Sequence, residues 1–154
     1  MVTVNVRREI AAPVEDVFGT VADIDRFSAI LPHSVKVEHL NGKKTGIGAK
    51  FRETRVMGKQ ENVNEFEITE YIENERVRMI ADTNGTVWDT LFEVREEAGK
   101  TTIDVEMDAR PHKLLPKLLN PLMKGLFRKG IEKDMDLLKE ALETGNRDEV
   151  DEED

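Results

Sequence analysis

Six strand-like segments follow one another between residues 34 and 109, and this succession constrains the fold more than any other feature of the sequence. Short turn signals separate the segments, in place of the long crossovers that parallel strands need. The Asn84-Gly85 pair is the most specific of these signals, because both residue types accept the positive φ angles of a two-residue hairpin. The segment therefore predicts an antiparallel sheet.

Helical and strand patterns flank this predicted sheet on both sides. Residues 2–10 predict a first strand, and two short helices follow it before residue 33. From about residue 115 to 142, apolar residues recur at spacings of three and four, although Pro116 and Pro121 should interrupt the first half. A sheet with one apolar face needs a cover, which the terminal helix supplies. The sequence thus predicts an α+β fold with about seven strands.

Length and composition limit the class of protein. At 154 residues the chain is predicted to be one domain, 1–144, with an acidic, disordered tail over 145–154. A net charge of −9 argues against a nucleic-acid partner. The sequence holds no cysteine and no apolar run of the ~20 residues that a membrane span needs, so we expect a cytoplasmic protein.

Strand 50–57 places charges among apolar side chains. Alternation puts Phe51, Glu53, Arg55 and Met57 on one face, and that face carries the larger apolar groups. Three interpretations stay open: both charges are solvated at a strand end, they form a polar patch inside an apolar cavity, or Glu53 is a general acid/base assisted by Arg55. We predict the second, in which the two side chains face the cavity and bind each other or the polar end of a ligand.

Other sequence features carry little catalytic signal. Neither Ser28 nor Ser34 lies in a nucleophile elbow, and the Gly-Ile-Gly at 46–48 predicts a turn because no third glycine follows at the required spacing. The three histidines lack metal-ligand spacing, so neither a metal site nor a cofactor is predicted.

Residues 112–133 form a basic, leucine-rich segment with six Lys or Arg residues and one Glu. We expect a solvated basic face opposite a buried apolar stripe. The alternative is transient contact with an anionic membrane surface, which basic amphipathic segments also make.

Several stretches resemble a known group of proteins. The segments "EIAAPVEDVFGTVADIDRFSAILPHSVKVEHL", "TGIGAKFRETRVMGK", "ITEYIENERV" and "DLLKEALE" are similar to the START-like, Bet v 1-like superfamily, and most similar to its polyketide cyclase/dehydrase and lipid-transport branch. The segment "VADIDRFSAILPHS" also resembles coenzyme-Q-binding members. The resemblance covers residues 2–143 and implies a helix-grip fold, in which a curved antiparallel sheet wraps the C-terminal helix around an apolar cavity.

The resemblance implies binding or transport of a hydrophobic small molecule: a lipid, an isoprenoid or quinone, or a polyketide-like compound. The alternatives are a cyclase or dehydratase that acts on such a compound, and a protein-interaction module. Glu53 and Arg55 are the candidate catalytic residues if the protein is an enzyme. The residues predicted to line the cavity are Phe27, Leu31, Phe51, Glu53, Arg55, Met57, Met79, Trp88, Thr90, Phe92, Val105, Met107, Leu122 and Leu126.

Overall fold

The computed structural model describes the backbone of residues 1–152 and the side chains of residues 1–144. The predicted disordered tail, 145–154, lies outside the residues whose side chains are described. The elements, in chain order, are β1 (Val2–Ile10), α1 (Val14–Val21), α2 (Ile24–Ala29), β2 (Ser34–His39), β3 (Lys50–Met57), β4 (Gln60–Ile72), β5 (Arg76–Thr83), β6 (Thr86–Glu97), β7 (Lys100–Pro111), α3 (Leu114–Leu119), a 3-10 turn (Asn120–Met123) and α4 (Lys124–Glu152).

The seven strands form one sheet in the order β1-β7-β6-β5-β4-β3-β2, and every neighbouring pair is antiparallel. This arrangement, with two short helices after β1 and a long C-terminal helix, confirms the predicted helix-grip fold. The helices α1 and α2 connect the two edge strands, β1 and β2, which lie at opposite sides of the sheet.

Local sequence signals form the structures that they predict. Asn84 and Gly85 adopt φ angles of 53° and 85° in the turn between β5 and β6, as a two-residue hairpin requires. Asp23 caps α2, because its carboxylate accepts hydrogen bonds from the backbone N–H groups of Asp25 and Arg26. Both signals act over a few residues and need no tertiary support.

Helix α4 lies against the inner face of the sheet and is held from two sides. Its buried residues Met135 and Leu138 belong to the main hydrophobic core. Asp134 accepts a hydrogen bond from Arg55 on β3 at 2.9 Å, whereas Asp136 accepts one from Arg8 on β1 at 2.7 Å. Positions i and i+2 of a helix point to nearly opposite sides. The two carboxylates therefore attach α4 to both flanks of the sheet.

The predicted interruption of the terminal helix is present at Pro121, whereas Pro116 lies in the first turn of α3, where the missing N–H costs no helical hydrogen bond. Helix α3 ends at Leu119, a 3-10 turn that contains Pro121 follows it, and α4 starts at Lys124. No helix in the part of the chain that the structure describes is long and apolar enough to cross a membrane.

Candidate functional site

A buried carboxylate lies on the inner face of β3. Phe51 and Glu53 are 2% and 3% exposed, and Arg55, the next residue with the same parity, is half-buried. Alternation along the strand thus carries the two charged residues inward with Phe51. A carboxylate at this depth needs hydrogen-bond donors to stay ionised.

Both oxygens of Glu53 have donors. Arg55 Nε donates to Oε1 at 3.0 Å, and the Ser34 hydroxyl donates to Oε2 at 2.8 Å. Arg55 Nη1 donates to Asp134 Oδ2 at 2.9 Å. We call Glu53, Arg55 and Asp134 the ion triad. It joins two adjacent residues of one strand face to the long helix that covers them.

Two members of the triad, Asp134 and Arg55, have shifted pKa values. Burial raises the pKa of the Asp134 carboxyl, and the charge and hydrogen bond of Arg55 offset only part of this rise. Burial alone would lower the pKa of Arg55, but the charges of Asp134 and Glu53, with hydrogen bonds to both, outweigh it, and the net shift is upward. The guanidinium is therefore a permanent cation on this otherwise largely apolar face.

A line of hydroxyl groups connects the triad to the protein surface. The Ser28 and Ser34 hydroxyl oxygens lie 2.5 Å apart, and Ser34 also contacts Glu53. Both serines line an open groove between α2 and β2 with a volume of about 520 Å³. The contacts Ser28–Ser34–Glu53 thus run without a break from this groove to the interior.

The ion triad and Ser34 form a polar patch on the inner face. Two asparagines extend this patch across the sheet. Asn64 pairs with Glu53, and Asn62 pairs with Arg55, in the antiparallel register of β3 and β4. Directly opposite residues of such a pair share one face of the sheet, so both amides lie on the inner face. Both asparagines are half-buried. Amide groups can donate to and accept from a ligand.

Apolar side chains surround this polar patch on the same face of the sheet. Phe51 stacks on Phe66 with ring centroids 5.2 Å apart, and Phe27 contacts Phe92 edge-on at 6.3 Å. Trp88 is half-buried and packs edge-on against Phe127 of α4 at 4.9 Å. The inner face therefore combines an aromatic surface with the charges of the ion triad.

The residues predicted to line a cavity fall into three classes. The first class is buried inside the molecule, the second is half-buried on the inner face, and the third is at the surface. The buried residues are Phe27, Leu31, Phe51, Glu53, Met79, Phe92, Val105 and Met107. The half-buried residues are Arg55, Trp88 and Thr90. The exposed residues are Met57, Leu122 and Leu126, with 55%, 82% and 62% exposure.

Location in the fold explains the three exposed residues. Met57 is the last residue of β3, next to the hairpin turn at Gly58. Helix α4 contacts this strand two residues earlier, at Arg55, and Met57 is exposed. Leu122 lies in the 3-10 turn. The residue that attaches this turn to the sheet is Asn120, whose side chain donates to the Thr86 hydroxyl at 3.1 Å. Leu126 follows in the first turn of α4. The expected buried stripe over residues 112–133 is therefore absent from its first part, where the leucines face solvent.

Sequence reasoning missed four residues of the polar patch as site residues: Ser34, Asn62, Asn64 and Asp134. Strand alternation could have identified the two asparagines once the 57–60 hairpin had set the register of β3 against β4. Asp134 lies 79 residues from its partner Arg55, and no local pattern links the two.

The triad can form hydrogen bonds to a ligand and can stabilise charge on it. Within the described side chains, no group of three or more His, Asp or Glu residues could hold a metal ion. Arg55 carries five N–H donors in a planar group, and two of them make the bonds to Glu53 and Asp134.

Comparisons with solved structures show the same fold in distant proteins. A START superfamily protein from Mycobacterium smegmatis superposes with a TM-score of 0.75 at 17% identity, over 94% of this chain and 99% of that one. The Aha1 dimer from Colwellia psychrerythraea gives a TM-score of 0.69 at 18% identity, with 94% and 98% of the two chains covered. Ara h 8.0201 gives 0.70 at 13% identity, with 91% and 96% covered.

The sequence comparisons give a family. The comparison with curated proteins finds no match. Residues 1–143 match the family described as "Polyketide cyclase / dehydrase and lipid transport". The match spans every element from β1 to the buried part of α4, including all three residues of the ion triad. The chain belongs to the polyketide cyclase/dehydrase and lipid transport family.

Proposed function

We propose that the protein binds or carries a hydrophobic small molecule whose polar end contacts the ion triad. The observation that supports this most directly is the position of the triad: Glu53 is 3% exposed and lies on a face that also carries Phe51, Phe66 and Phe92. Family membership and fold agree with a hydrophobic ligand.

The polar patch favours a ligand with an oxygen acceptor at one end. Arg55 can donate to a carbonyl or hydroxyl oxygen with the N–H groups that Glu53 and Asp134 do not use, and the Asn62 and Asn64 amides lie on the same face. A quinone or another oxygenated isoprenoid, a lipid with a carbonyl group, or a polyketide-like compound has this chemistry. A saturated hydrocarbon does not.

A second candidate function is catalysis as a cyclase or dehydratase, and one chain of hydrogen bonds supports it. Ser28, Ser34 and Glu53 form a continuous path of hydrogen-bonding groups from the surface groove to the interior, which could carry a proton. In that case Glu53→Gln would abolish turnover of a polyketide-like substrate. In a carrier, the same variant would change affinity alone. An interaction module and a cytoplasmic location stay predictions from the sequence.

Binding is tested first without any assumption about the ligand. Freshly purified full-length protein is analysed by native mass spectrometry, followed by lipid extraction and identification of any released compound. We expect a mass increment that organic extraction removes. If nothing co-purifies and neither oleic acid, a short-chain quinone nor 1-aminoanthracene binds, the proposal is wrong.

Two arginine variants on the same strand then test the role of the triad. Arg55→Lys keeps the charge but loses the planar donor group, and we expect it to weaken quinone binding by about tenfold to a hundredfold, the value of one to two charge-assisted hydrogen bonds. Binding of 1-aminoanthracene, which has no oxygen acceptor, should change little. Arg52→Lys is the matched control, because Arg52 lies on the outer face and pairs with Glu38 and Glu65. If the two variants weakened quinone binding equally, Arg55 would not be part of the binding site. Circular dichroism checks that both variants are folded.

A further inference from the structure

Residues 113–129, which we call the leucine-rich segment, expose an unusual amount of apolar surface. Of the fourteen large apolar side chains exposed in the described part of the chain, seven lie between Leu114 and Leu126. They are Leu114, Leu115, Leu118, Leu119, Leu122, Met123 and Leu126. Scattered exposed apolar residues are normal, but a contiguous group of this size indicates a binding surface.

The orientation of the segment is set by contacts on its other side. Asn120, 5% exposed, donates to the Thr86 hydroxyl, and Phe127 packs against Trp88. Arg128 donates to the backbone carbonyl of Asn5 at 2.9 Å, and the Gly85 carbonyl accepts from the backbone N–H groups of His112 and Lys113. These contacts hold one side of the segment to the sheet, so the leucines point outward as a consequence of the fold.

The charge of the segment identifies the kind of partner. It contains five Lys or Arg residues and no Asp or Glu, in a chain whose net charge is −9. The four lysines, Lys113, Lys117, Lys124 and Lys129, are all exposed and alternate with the leucines. Contact between two copies through this surface would bring like charges together, because a two-fold symmetric interface pairs a patch with itself. An anionic bilayer supplies the opposite charge above an apolar layer.

We propose that the leucine-rich segment docks the protein on the surface of an anionic lipid membrane. The leucines enter the boundary between headgroups and acyl chains, and the lysine ammonium groups remain at the level of the lipid phosphates. The proposal concerns a surface outside the ion triad and does not depend on whether the interior binds a ligand. If it does, docking brings the Trp88 end of the inner face next to the bilayer.

Vesicle co-sedimentation with the full-length protein tests the proposal. We expect binding to phosphatidylcholine vesicles that contain about a third phosphatidylglycerol, little binding to pure phosphatidylcholine, and release by salt, since headgroup attraction falls off within a Debye length. Lys117→Gln with Lys124→Gln should weaken binding by roughly 25-fold, about fivefold for each cation. Leu118→Ser with Leu122→Ser should weaken it by about tenfold or more.

Matched controls use exposed residues elsewhere on the molecule. Lys44→Gln with Lys59→Gln removes the same charge, and Val35→Ser with Ile47→Ser removes comparable apolar surface from residues that are 58% and 57% exposed. Both double variants should bind like wild type. The proposal is overturned if wild type does not bind anionic vesicles, if it binds neutral ones equally well, or if the controls lose as much affinity as the segment variants. It is also overturned if sedimentation velocity shows self-association that the leucine changes abolish while vesicle binding is absent.

Discussion

Arg55 binds two carboxylates that reach it by different routes. Glu53 is its neighbour on the same strand face, and Asp134 comes from α4. Replacing a buried ion pair by apolar residues is often tolerated, whereas removing one partner leaves the other charge unpaired. The three members of the triad therefore should not contribute equally to stability.

Two single variants test this inequality. Arg55→Met leaves both carboxylates without a cation, and we expect it to lower the free energy of unfolding by about 3–5 kcal/mol, the range for a broken buried pair. Glu53→Gln leaves Arg55 paired with Asp134 and keeps an acceptor for Ser34, so we expect about 1 kcal/mol. The double variant Glu53→Gln with Arg55→Met should be less destabilised than the sum of the singles. Urea unfolding measures all three, and curves within about 0.5 kcal/mol of wild type would show that both groups are in water.

The raised pKa of Asp134 predicts a pH dependence of stability with a definite sign. An acid whose pKa is higher in the folded state binds more protons there, so its contribution to stability falls as the pH rises from about 4 through its folded pKa. The groups that act on it are Arg55, Glu53 and His33, and Arg55 offsets the rise only in part. We expect the unfolding free energy of wild type minus that of Asp134→Asn to decrease from pH 4 to pH 7.

Glu38 serves as a control of opposite sign. Hydrogen bonds from Lys36 and Arg52 lower the pKa of this half-buried carboxyl, so its contribution to stability is present above the ordinary Glu pKa and is lost as the pH falls. Wild type minus Glu38→Gln should therefore increase over the same pH range. If the two differences follow the same trend, the burial of Asp134 is not what controls its titration.

At the scale of elements, the C-terminal helical region has two parts with different tasks. The part around Met135 and Leu138 is buried against the sheet and belongs to the core. The leucine-rich segment, with α3 and the 3-10 turn, has no buried apolar residue and is attached through Asn120, Phe127 and Arg128. The first part stabilises the fold, and the second presents a surface.

A pair of leucine variants distinguishes these tasks. Leu138 is 0% exposed and Leu118 is 63% exposed. We expect Leu138→Ala to lower the free energy of unfolding by about 2–5 kcal/mol, because it leaves a cavity in the core. Leu118→Ala should change it by less than about 0.5 kcal/mol, as is usual at the surface. Thermal or urea unfolding provides the comparison, and a large loss with Leu118→Ala would mean that the leucine-rich segment is buried in solution.

At the scale of the whole molecule, α4 connects the two flanks of the sheet. Asp136 reaches Arg8 on the edge strand β1, and Asp134 reaches Arg55 on β3, next to the other edge. The inner face between these two contacts carries the aromatic residues and the polar patch. The contacts that fix the helix and the groups proposed to bind a ligand thus share Arg55, so stability and binding are expected to change together when this residue is altered.

Much of this organisation could be predicted from the sequence because it depends on local rules. The seven strands, the Asn84-Gly85 turn, the Asp23 cap and the break near Pro121 all follow from alternation, backbone preference or capping within a few residues. The inward position of Glu53 and Arg55 also follows from parity, since one face of a strand must meet the core.

Only the tertiary structure decided which partners these residues have. Asp134 and Ser34 meet the Arg55–Glu53 pair because α4 and β2 pack against β3, and no sequence spacing encodes that contact. The exposure of Leu122 and Leu126 likewise depends on where the chain leaves β7 and how Asn120 attaches the following turn to Thr86. A helical period specifies which side chains share a face, but the direction of that face is set by the contacts of the element with the rest of the molecule.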